Sequence, residues 1–262
     1  MGSSHPSAGG AADTPAEATA ADVAARVRDT LEVVFEAVAE TLADTTAVLT
    51  AAADRGTPPT TGDLAALRPG LEHRLGRLGL VSGIGFVAAP GLLADVPAWL
   101  EWWQSGADGT VRPLLLDLDP GHSAYSDYTH WDWYALPRDT GLRAVAGPYV
   151  DYLCSDEYSL TLSAPVTVGG AFAGVAAADV YLSHFEAAVM PVLRELPGPA
   201  CLVNARGRVA VSTDTRYLAG SLLRGPDFAA VLTGPDGAAD HYGARLRACG
   251  SIPIVLATAP AG

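Results

Sequence analysis

The feature of this sequence that most constrains its fold is a change of hydrophobic period after about residue 80. From Asp22 to Ala53, apolar residues recur at steps of three, four and seven, which predicts one apolar stripe along a long helix. The stripe consists of Val23, Val27, Leu31, Val34, Phe35, Val38, Leu42 and Leu49. A second helical pattern runs from Leu64 to Leu78, and Pro69-Gly70 is expected to break it into two short pieces.

Beyond this point the pattern is that of strands, since short apolar or alternating runs are bounded by Gly, Pro and Asp. Two runs joined by Gly169-Gly170 predict a hairpin, and a helix over 183–196 follows it. The predicted strand regions are 83–90, 99–104, 111–119, 158–168 and 171–182, with two further hairpins in 200–214 and 241–259. Helix, strands, helix and strands in this order indicate an α+β fold built on antiparallel sheets.

The same pattern divides the chain into three parts. Residues 1–18 are rich in Ala, Gly, Ser, Thr and Pro, which predicts a disordered N-terminus. Residues 19–196 hold the long helix and a first module, and residues 197–262 hold a smaller second module. Pro197-Gly198-Pro199 is the predicted boundary between the two.

Charge and composition exclude several classes of partner. The formal net charge of −13 argues against a nucleic-acid partner, because phosphate binding needs a basic surface. There is no run of 18 apolar residues, no secretory signal and no basic cluster for an anionic membrane, so neither membrane insertion nor export is expected. We therefore predict a soluble, cytoplasmic protein.

The sequence also contains few signals of catalysis. It lacks HExxH, GxSxG, P-loop and GxGxxG patterns, so we expect no enzyme activity, no cofactor and no metal site. Three widely spaced cysteines without a CxxC pair indicate reduced, buried thiols. The rival interpretation is that Cys154 is a nucleophile with His130 as its base, and only composition supports it.

An unusual concentration of rings and acids lies between Tyr125 and Tyr158. This window of 34 residues contains eight of the 19 aromatic residues, six acidic residues and only two arginines, Arg138 and Arg143. Aromatic faces attract cations, and a desolvated carboxylate forms a strong hydrogen bond with an ammonium group. The composition therefore favours a pocket for a small cationic metabolite over one for a carboxylate, which would need basic side chains.

Short motifs in this region occur in a recognisable order. They are Trp133-Tyr134, Pro148-Tyr149, Ala164-Pro165-Val166, and Gly174-Val175 leading to Asp179. In this order, behind a long helix, they resemble the Cache family of sensor domains in its double form, in which two PAS-like antiparallel-sheet modules follow the helix. The resemblance implies a ligand-binding sensor with its pocket in the first module.

The resemblance also implies which residues line that pocket. The segment from Tyr125 to Tyr134 would cover the sheet, and Asp179 would face the amine of the ligand. The candidate ligand-binding residues are Trp103, Tyr125, Trp131, Trp133, Tyr134, Tyr149, Asp151 and Asp179. Trp102 and Trp103 alternate across one strand, so at most one can face the pocket, and Trp103 is taken as the candidate.

Other interpretations of these residues stay open. Trp133 and Tyr134 are also compatible with a role in the core, Asp151 with a turn or cap, and Asp179 with the start of a helix. Asp156 and Glu157 fit a solvated loop.

Two departures from the family pattern affect the functional prediction. Cache domains usually lie between two transmembrane helices, and the resemblance here implies a free-standing version without an output domain. Amino-acid-binding members carry an Arg two residues before the Trp of the Trp-Tyr pair, where this chain has Trp131. The usual clamp for a ligand carboxylate is therefore missing from that position.

Three functions remain open at this stage. The first is a sensor for a small polar metabolite with an amine or cationic group. The second is the same fold binding a carboxylate or an amino acid through backbone N–H groups and Arg138 or Arg143. The third is a dimerising scaffold for a separately encoded regulator. Partners compatible with these functions are the small ligand, a second copy joined along the 22–53 helix, and a separate regulator protein.

Overall fold

The structure is a computed structural model that describes residues 15–106, 109–119, 121–122, 127–150, 158–235, 237–241 and 243–259. Its helices are α1 (Pro15–Asp54), α2 (Thr61–Leu64), α3 (Arg68–Arg77), α4 (Asp132–Thr140), α5 (Leu182–Leu193) and α6 (Phe228–Thr233), with a 3-10 turn at Ala65–Leu67. The strands of the first module are β1 (Val81–Ala88), β2 (Leu100–Ser105), β3 (Val111–Pro113), β4 (Ala144–Val150), β5 (Tyr158–Val168) and β6 (Ala171–Tyr181). Those of the second are β7 (Ala200–Asn204), β8 (Val209–Ser212), β9 (Ala238–His241), β10 (Ala244–Cys249) and β11 (Ile252–Thr258).

These strands form two sheets in which neighbours run antiparallel. The first has the order β3-β2-β1-β6-β5-β4 and the second the order β8-β7-β11-β10-β9. The α+β plan with a long N-terminal helix and two antiparallel sheets is therefore confirmed. The predicted hairpin is formed by β5 and β6, and its turn uses Gly169 and Gly170 with positive φ angles of 59° and 82°. Glycine suits this turn because other residues are strained in the left-handed region.

Helix α1 joins the two sheets through its apolar stripe. Val27, Leu31 and Val38 are fully buried, and the core that they enter contains residues of both modules, among them Leu162 of β5 and Leu256 of β11. Burial of an aliphatic side chain of this size contributes about 1.5–3 kcal/mol. The helix thus has two sheets to pack against, and this tertiary packing of its apolar stripe, more than helix propensity, stabilises it over 40 residues.

The helices differ from the sequence prediction at two points. Helix α1 begins at Pro15 and not after residue 18. Pro69 was expected to break the second helical pattern, yet it lies in the first turn of α3, where its missing N–H costs no hydrogen bond. The break falls instead at the 3-10 turn before α3.

Helices α4 and α6 were not predicted because they are short. Their apolar pattern extends over too few turns to be recognised, and α4 also contains Pro137. Among the helices of the described ranges, none is both long and apolar enough to span a bilayer.

Gly85 is expected to be essential for the pairing of β1 with β2. A Cβ on this residue would lie 2.2 Å from the backbone oxygen of Glu101 and 2.8 Å from Cα of Trp102. We predict that Gly85→Ala lowers the free energy of unfolding by about 3 kcal/mol, the upper end for overpacking, because backbone atoms would have to move. Urea unfolding measures this. The control is Gly76→Ala in α3, where a new Cβ meets no atom within 4 Å and should stabilise the protein slightly.

Candidate functional site

The two faces of the first sheet differ in chemistry because side chains alternate along each strand. The face that packs on α1 is apolar and carries residues such as Ile84, Phe86 and Leu162. The opposite face, which we call the α4 face because α4 covers it, is mixed: it carries small and polar residues, and also an apolar cluster that includes Val87, Trp102 and Val175. Its described members include Gly83, Gly85, Trp102, Ser159, Thr161, Ser163, Ala177 and Asp179.

Strand register places these residues in rows across the sheet. Gly83 of β1 pairs with Asp179 of β6, which pairs with Thr161 of β5. The next row contains Trp102, Gly85, Ala177 and Ser163. Since Gly83 and Gly85 carry no side chain, the indole of Trp102 packs directly over β1: a Cβ on Gly83 would lie 2.8 Å from its Nε1, and one on Gly85 would lie 3.0 Å from its Cε3.

Asp179 is the acidic residue of the α4 face, which forms the floor beneath α4. Asp179 is only 7% exposed, and its carboxylate accepts a hydrogen bond of 2.5 Å from the Thr161 hydroxyl. Because the proton of Thr161 is used in this way, the Tyr149 hydroxyl is the donor in its own hydrogen bond to Thr161. Tyr149, Thr161 and Asp179 thus form a chain of hydrogen bonds that orients the carboxylate.

Helix α4 covers the sheet and is anchored there by tyrosines. Tyr134 is 1% exposed and packs edge-on against Phe172 and Tyr128 at 5.6 and 5.3 Å between ring centroids. The Tyr128 hydroxyl donates to the backbone oxygen of Ala88 at 2.8 Å. Gly141, with a φ angle of 70°, ends the helix in the left-handed conformation that glycine favours.

Aromatic rings lie beside α4 at the edge of this sheet face. Trp131 is 38% exposed, and its ring centroid lies 6.1 Å from that of Tyr149. Trp133 is partly buried and stacks near Tyr128 at 6.4 Å between centroids. A ligand above Asp179 would therefore have ring faces next to it.

The two arginines of the aromatic window are engaged elsewhere. Arg143 contacts Glu32 of α1 with two hydrogen bonds of 2.9 and 3.1 Å, and it also bonds Ser251 in the turn between β10 and β11. Arg138 is paired with the neighbouring Asp139 at 2.7 Å and donates to the backbone oxygen of Thr129. In their described contacts, both arginines therefore bind groups other than Asp179 and Thr161.

One site residue needs correction. Trp103 lies on the face toward α1 and α3, where its indole N–H donates to Glu101 at 3.1 Å. Trp102 is the member of the pair on the α4 face, where it packs with Tyr128 and Tyr134. Sequence alternation showed that only one of the two could face the site, but the direction was decided by the pairing of Trp102 with Gly85.

The other predicted site residues fall into three groups. Trp131, Trp133, Tyr149 and Asp179 meet around the α4 face, and Tyr134 is buried as an anchor between α4 and the sheet. Tyr125 and Asp151 lie outside the described residues, so their roles stay predictions. Thr161 and Ser163 were missed, although the alternation of Ser and Thr with Leu in the sequence of β5 could have indicated a polar face.

The corresponding face of the second sheet is filled by the chain itself. Phe228 and Val231 of α6 are buried there against Val203, Val255 and Leu246. Apolar side chains thus occupy the face that carries Ser159, Thr161 and Asp179 in the first module. The candidate site is therefore in the first module.

The cysteines and metal ligands of the described ranges give no competing site. Cys201 and Cys249 are free and buried, and burial raises the pKa of the Cys249 thiol to about 12. Cys154 lies outside the described residues. Within the described ranges, no group of three or more His, Cys, Asp or Glu side chains is placed to hold a metal ion.

Comparison with known proteins agrees with this geometry. Residues 116–187, which include α4, β4 and the β5–β6 hairpin, match the family model for the first PDC sensor domain of methyl-accepting chemotaxis protein-like proteins. A structure named Methyl-accepting Chemotaxis protein X has a TM-score of 0.62 and 17% identity, with 94% of this chain and 96% of that chain covered. The chain has a double Cache, PDC-like sensor fold.

Two further solved structures share this double Cache fold. The extracellular domain of mmHK1S-Z3, which is named as a histidine kinase, has a TM-score of 0.57 and 14% identity over 94% of each chain. The ligand-binding domain of the amino acid chemoreceptor PctC from Pseudomonas aeruginosa PAO1 has a TM-score of 0.51 and 17% identity, with 90% of this chain and 94% of that chain covered. No curated protein matches the sequence.

The comparisons bear on two earlier predictions. The family model that matches residues 116–187 describes a sensor domain, in agreement with the predicted ligand-binding sensor. The cytoplasmic location stays a prediction, and the domain of mmHK1S-Z3 is named as extracellular.

The buried Tyr134 should affect stability at alkaline pH. Burial raises the pKa of its phenol from 10 to about 12. A phenol with a higher pKa in the folded state stabilises the fold fully below about pH 10 and loses this contribution as the pH rises through 12. We predict that Tyr134→Phe loses less stability than the parent chain between pH 9 and 11.5, as measured by thermal unfolding. Equal losses in the two proteins would contradict the burial of this hydroxyl.

Proposed function

We propose that this sensor domain binds a small metabolite with an amine or other cationic group on the α4 face. The observation that carries the proposal is the buried Asp179 carboxylate, held by Thr161 on the sheet floor beneath the aromatic α4 segment. A desolvated carboxylate that meets an ammonium group forms a charge-assisted hydrogen bond of about 1.5–3 kcal/mol. The net charge of −13 also favours the approach of cations.

The aromatic edge supports the same charge preference. Trp131 and Tyr149 lie 6.1 Å apart beside the floor, so a cation above Asp179 can approach the face of one or both rings. Such a contact contributes about 0.5–2 kcal/mol, with the larger values at desolvated sites. Rings and carboxylate act on the same group of the ligand.

The comparison with PctC supports a ligand of this kind. Its domain, which shares the fold, was solved in complex with GABA, a molecule with a primary amine and a carboxylate, which is compatible with the amine and with the amino-acid alternative. The family model that matches residues 116–187 is that of a sensor domain as well. Ligand binding followed by signalling through a separate partner is therefore the function that we propose.

The two alternatives make different demands on the structure. A carboxylate ligand would have to rely on backbone N–H groups or uncharged side-chain donors, since Arg138 and Arg143 are paired with Asp139 and Glu32. A scaffold would need no ligand, and dimerisation along α1 stays a prediction for all three functions.

A thermal-shift screen separates these possibilities. The probes are polyamines, biogenic and quaternary amines, amino acids and short carboxylates. A ligand at 100 times its Kd stabilises a protein by about 2.7 kcal/mol, which corresponds to a rise in Tm of roughly 5–10 °C for a chain of this size. Hits among amines support the proposal, hits only among carboxylates overturn the charge preference, and the absence of any hit favours the scaffold.

Removal of the Asp179 charge should weaken amine binding. We predict that Asp179→Asn lowers the affinity for the best amine of the screen more than tenfold, because the ammonium loses its buried partner. Isothermal calorimetry measures the change. Asp240→Asn, at an exposed position of β9, removes the same charge and should leave the affinity unchanged. Equal affinities of the parent and Asp179→Asn would refute the amine model.

A cation at position 131 should reverse the charge preference. Trp131 is 38% exposed at the start of α4, so Trp131→Arg can be introduced with little loss of stability. We predict that this variant binds short carboxylates or amino acids at least tenfold more tightly than the parent chain. Leu142→Arg, at an exposed position after α4, is the control for added charge. A gain in both variants, or in neither, would show that position 131 does not face the ligand.

A further inference from the structure

Three buried polar atoms on the α4 face have no hydrogen-bond partner among the described residues. They are the indole Nε1 of Trp102 and the hydroxyl oxygens of Ser159 and Ser163. Both serines are 0% exposed and Trp102 is 5% exposed. Buried polar groups in folded proteins are almost always paired, because each unpaired group has lost its hydrogen bonds to water without replacement.

The strand register places all three residues next to Asp179 on the same sheet face. A Cβ on Gly83 would lie 2.8 Å from Trp102 Nε1, which places this N–H above the residue paired with Asp179. On the other side, Asp179 pairs with Thr161. Ser159 and Ser163 are two residues before and after Thr161, so they are diagonal neighbours of Asp179 at about 7–8 Å between Cα atoms.

Neighbouring residues of the same types show that the sheet can satisfy such groups. The indole N–H of Trp103 donates to Glu101, and the hydroxyl of Ser82 donates to the backbone oxygen of Asp179 at 3.1 Å. The unpaired atoms are thus concentrated on one face, around one carboxylate. The only other unpaired buried side-chain atom in the described ranges is Nη1 of Arg74 in α3.

We infer that Trp102, Ser159 and Ser163 determine ligand specificity by hydrogen bonding to an oxygen of the ligand whose amine lies at Asp179. The inference rests on the proposed function and narrows its ligand class to small amines that also carry a hydroxyl, carbonyl or carboxylate oxygen. An indole N–H can only donate, so the group that meets Trp102 must be an acceptor. Amines with a purely hydrocarbon remainder leave these three groups unpaired and bind more weakly.

A matched pair of probes tests this preference. Butylamine and 3-amino-1-propanol have the same number of heavy atoms and differ in a methyl group and a hydroxyl group. 3-Aminopropanamide and 3-aminopropanoate present a carbonyl and a carboxylate oxygen on the same carbon chain. We expect at least one of the three oxygen-bearing amines to bind about tenfold more tightly than butylamine in calorimetry, since each hydrogen bond contributes about two- to tenfold.

Variants with matched controls test the residues. Trp102→Phe and the double variant Ser159→Ala/Ser163→Ala should bring the affinity of the oxygen-bearing amine down to that of butylamine. Trp103→Phe removes an indole N–H from the opposite face and should keep the preference.

Without ligand, Ser159→Ala/Ser163→Ala should keep or raise the Tm, because it removes unpaired buried groups. Ser82→Ala, which removes a paired hydroxyl, should lower the Tm. A merely structural role of Ser159 and Ser163 would instead lower the Tm of their double variant.

The outcomes separate the two proposals. Equal binding of all four amines, or a preference that survives in Trp102→Phe and in the serine variant, overturns the inference and leaves the amine proposal standing. A fall in Tm of the ligand-free serine variant also overturns the inference. Failure of all four amines to bind, together with a hit among uncharged or carboxylate probes, overturns both the proposed function and the ligand class inferred from it.

Discussion

The burial of one stripe of α1 against two sheets is the constraint on which the rest of the structure depends. Because Leu31 and Val38 enter a core shared by both modules, one face of each sheet is committed to the helix. Arg143 strengthens the junction, since it contacts Glu32 of α1, the ring of Phe35 and the β10–β11 turn together. Anything that the protein binds within a module must therefore use the opposite sheet face.

The two modules use that opposite face differently. The second module closes it with Phe228 and Val231, which gives a small apolar core of its own. The first module places Gly83 and Gly85 under the Trp102 indole and keeps the polar residues Ser159, Thr161, Ser163 and Asp179 on the same face, which α4 covers. Because buried polar residues occupy this sheet face in the first module, the first module is the candidate for ligand binding.

The cover of the site also contacts the second module. Asp132 at the start of α4 pairs with Arg206 in the β7–β8 turn at 2.9 Å, and Asn204 donates to the backbone oxygen of Gly147 in β4 at 2.7 Å. Gly147 precedes Tyr149 by two residues, and Tyr149 is bonded to Thr161 on the site floor. A rearrangement of α4 or β4 would thus act directly on contacts between the modules. The Asp132–Arg206 pair is solvent-exposed and therefore weak, so this contact can change at low cost.

Much of this architecture follows from local patterns in the sequence. The apolar period of α1, the Gly169-Gly170 turn and the alternation along β5 and β6 determine the element types, because each depends only on residues close together in the chain. The order of the short aromatic and glycine motifs was enough to indicate the sensor fold and to select Trp131, Tyr149 and Asp179. Local patterns could not decide between Trp102 and Trp103. Alternation shows that the two side chains point to opposite faces of the sheet, but it does not show which face meets the helix.

Only the tertiary structure decided which tryptophan faces α4. Trp102 pairs with Gly85 of β1, and α1 packs on the opposite face of the sheet. The tertiary structure also brought Thr161, Ser159 and Ser163 together around Asp179, which the sequence separates by at least 16 positions. Pairing between β5 and β6 is a long-range contact, and its consequence for hydrogen bonding is not encoded in either strand alone. The sequence by itself thus determined the elements and the chemistry available, and the packing of the sheet between α1 and α4 decided which groups meet.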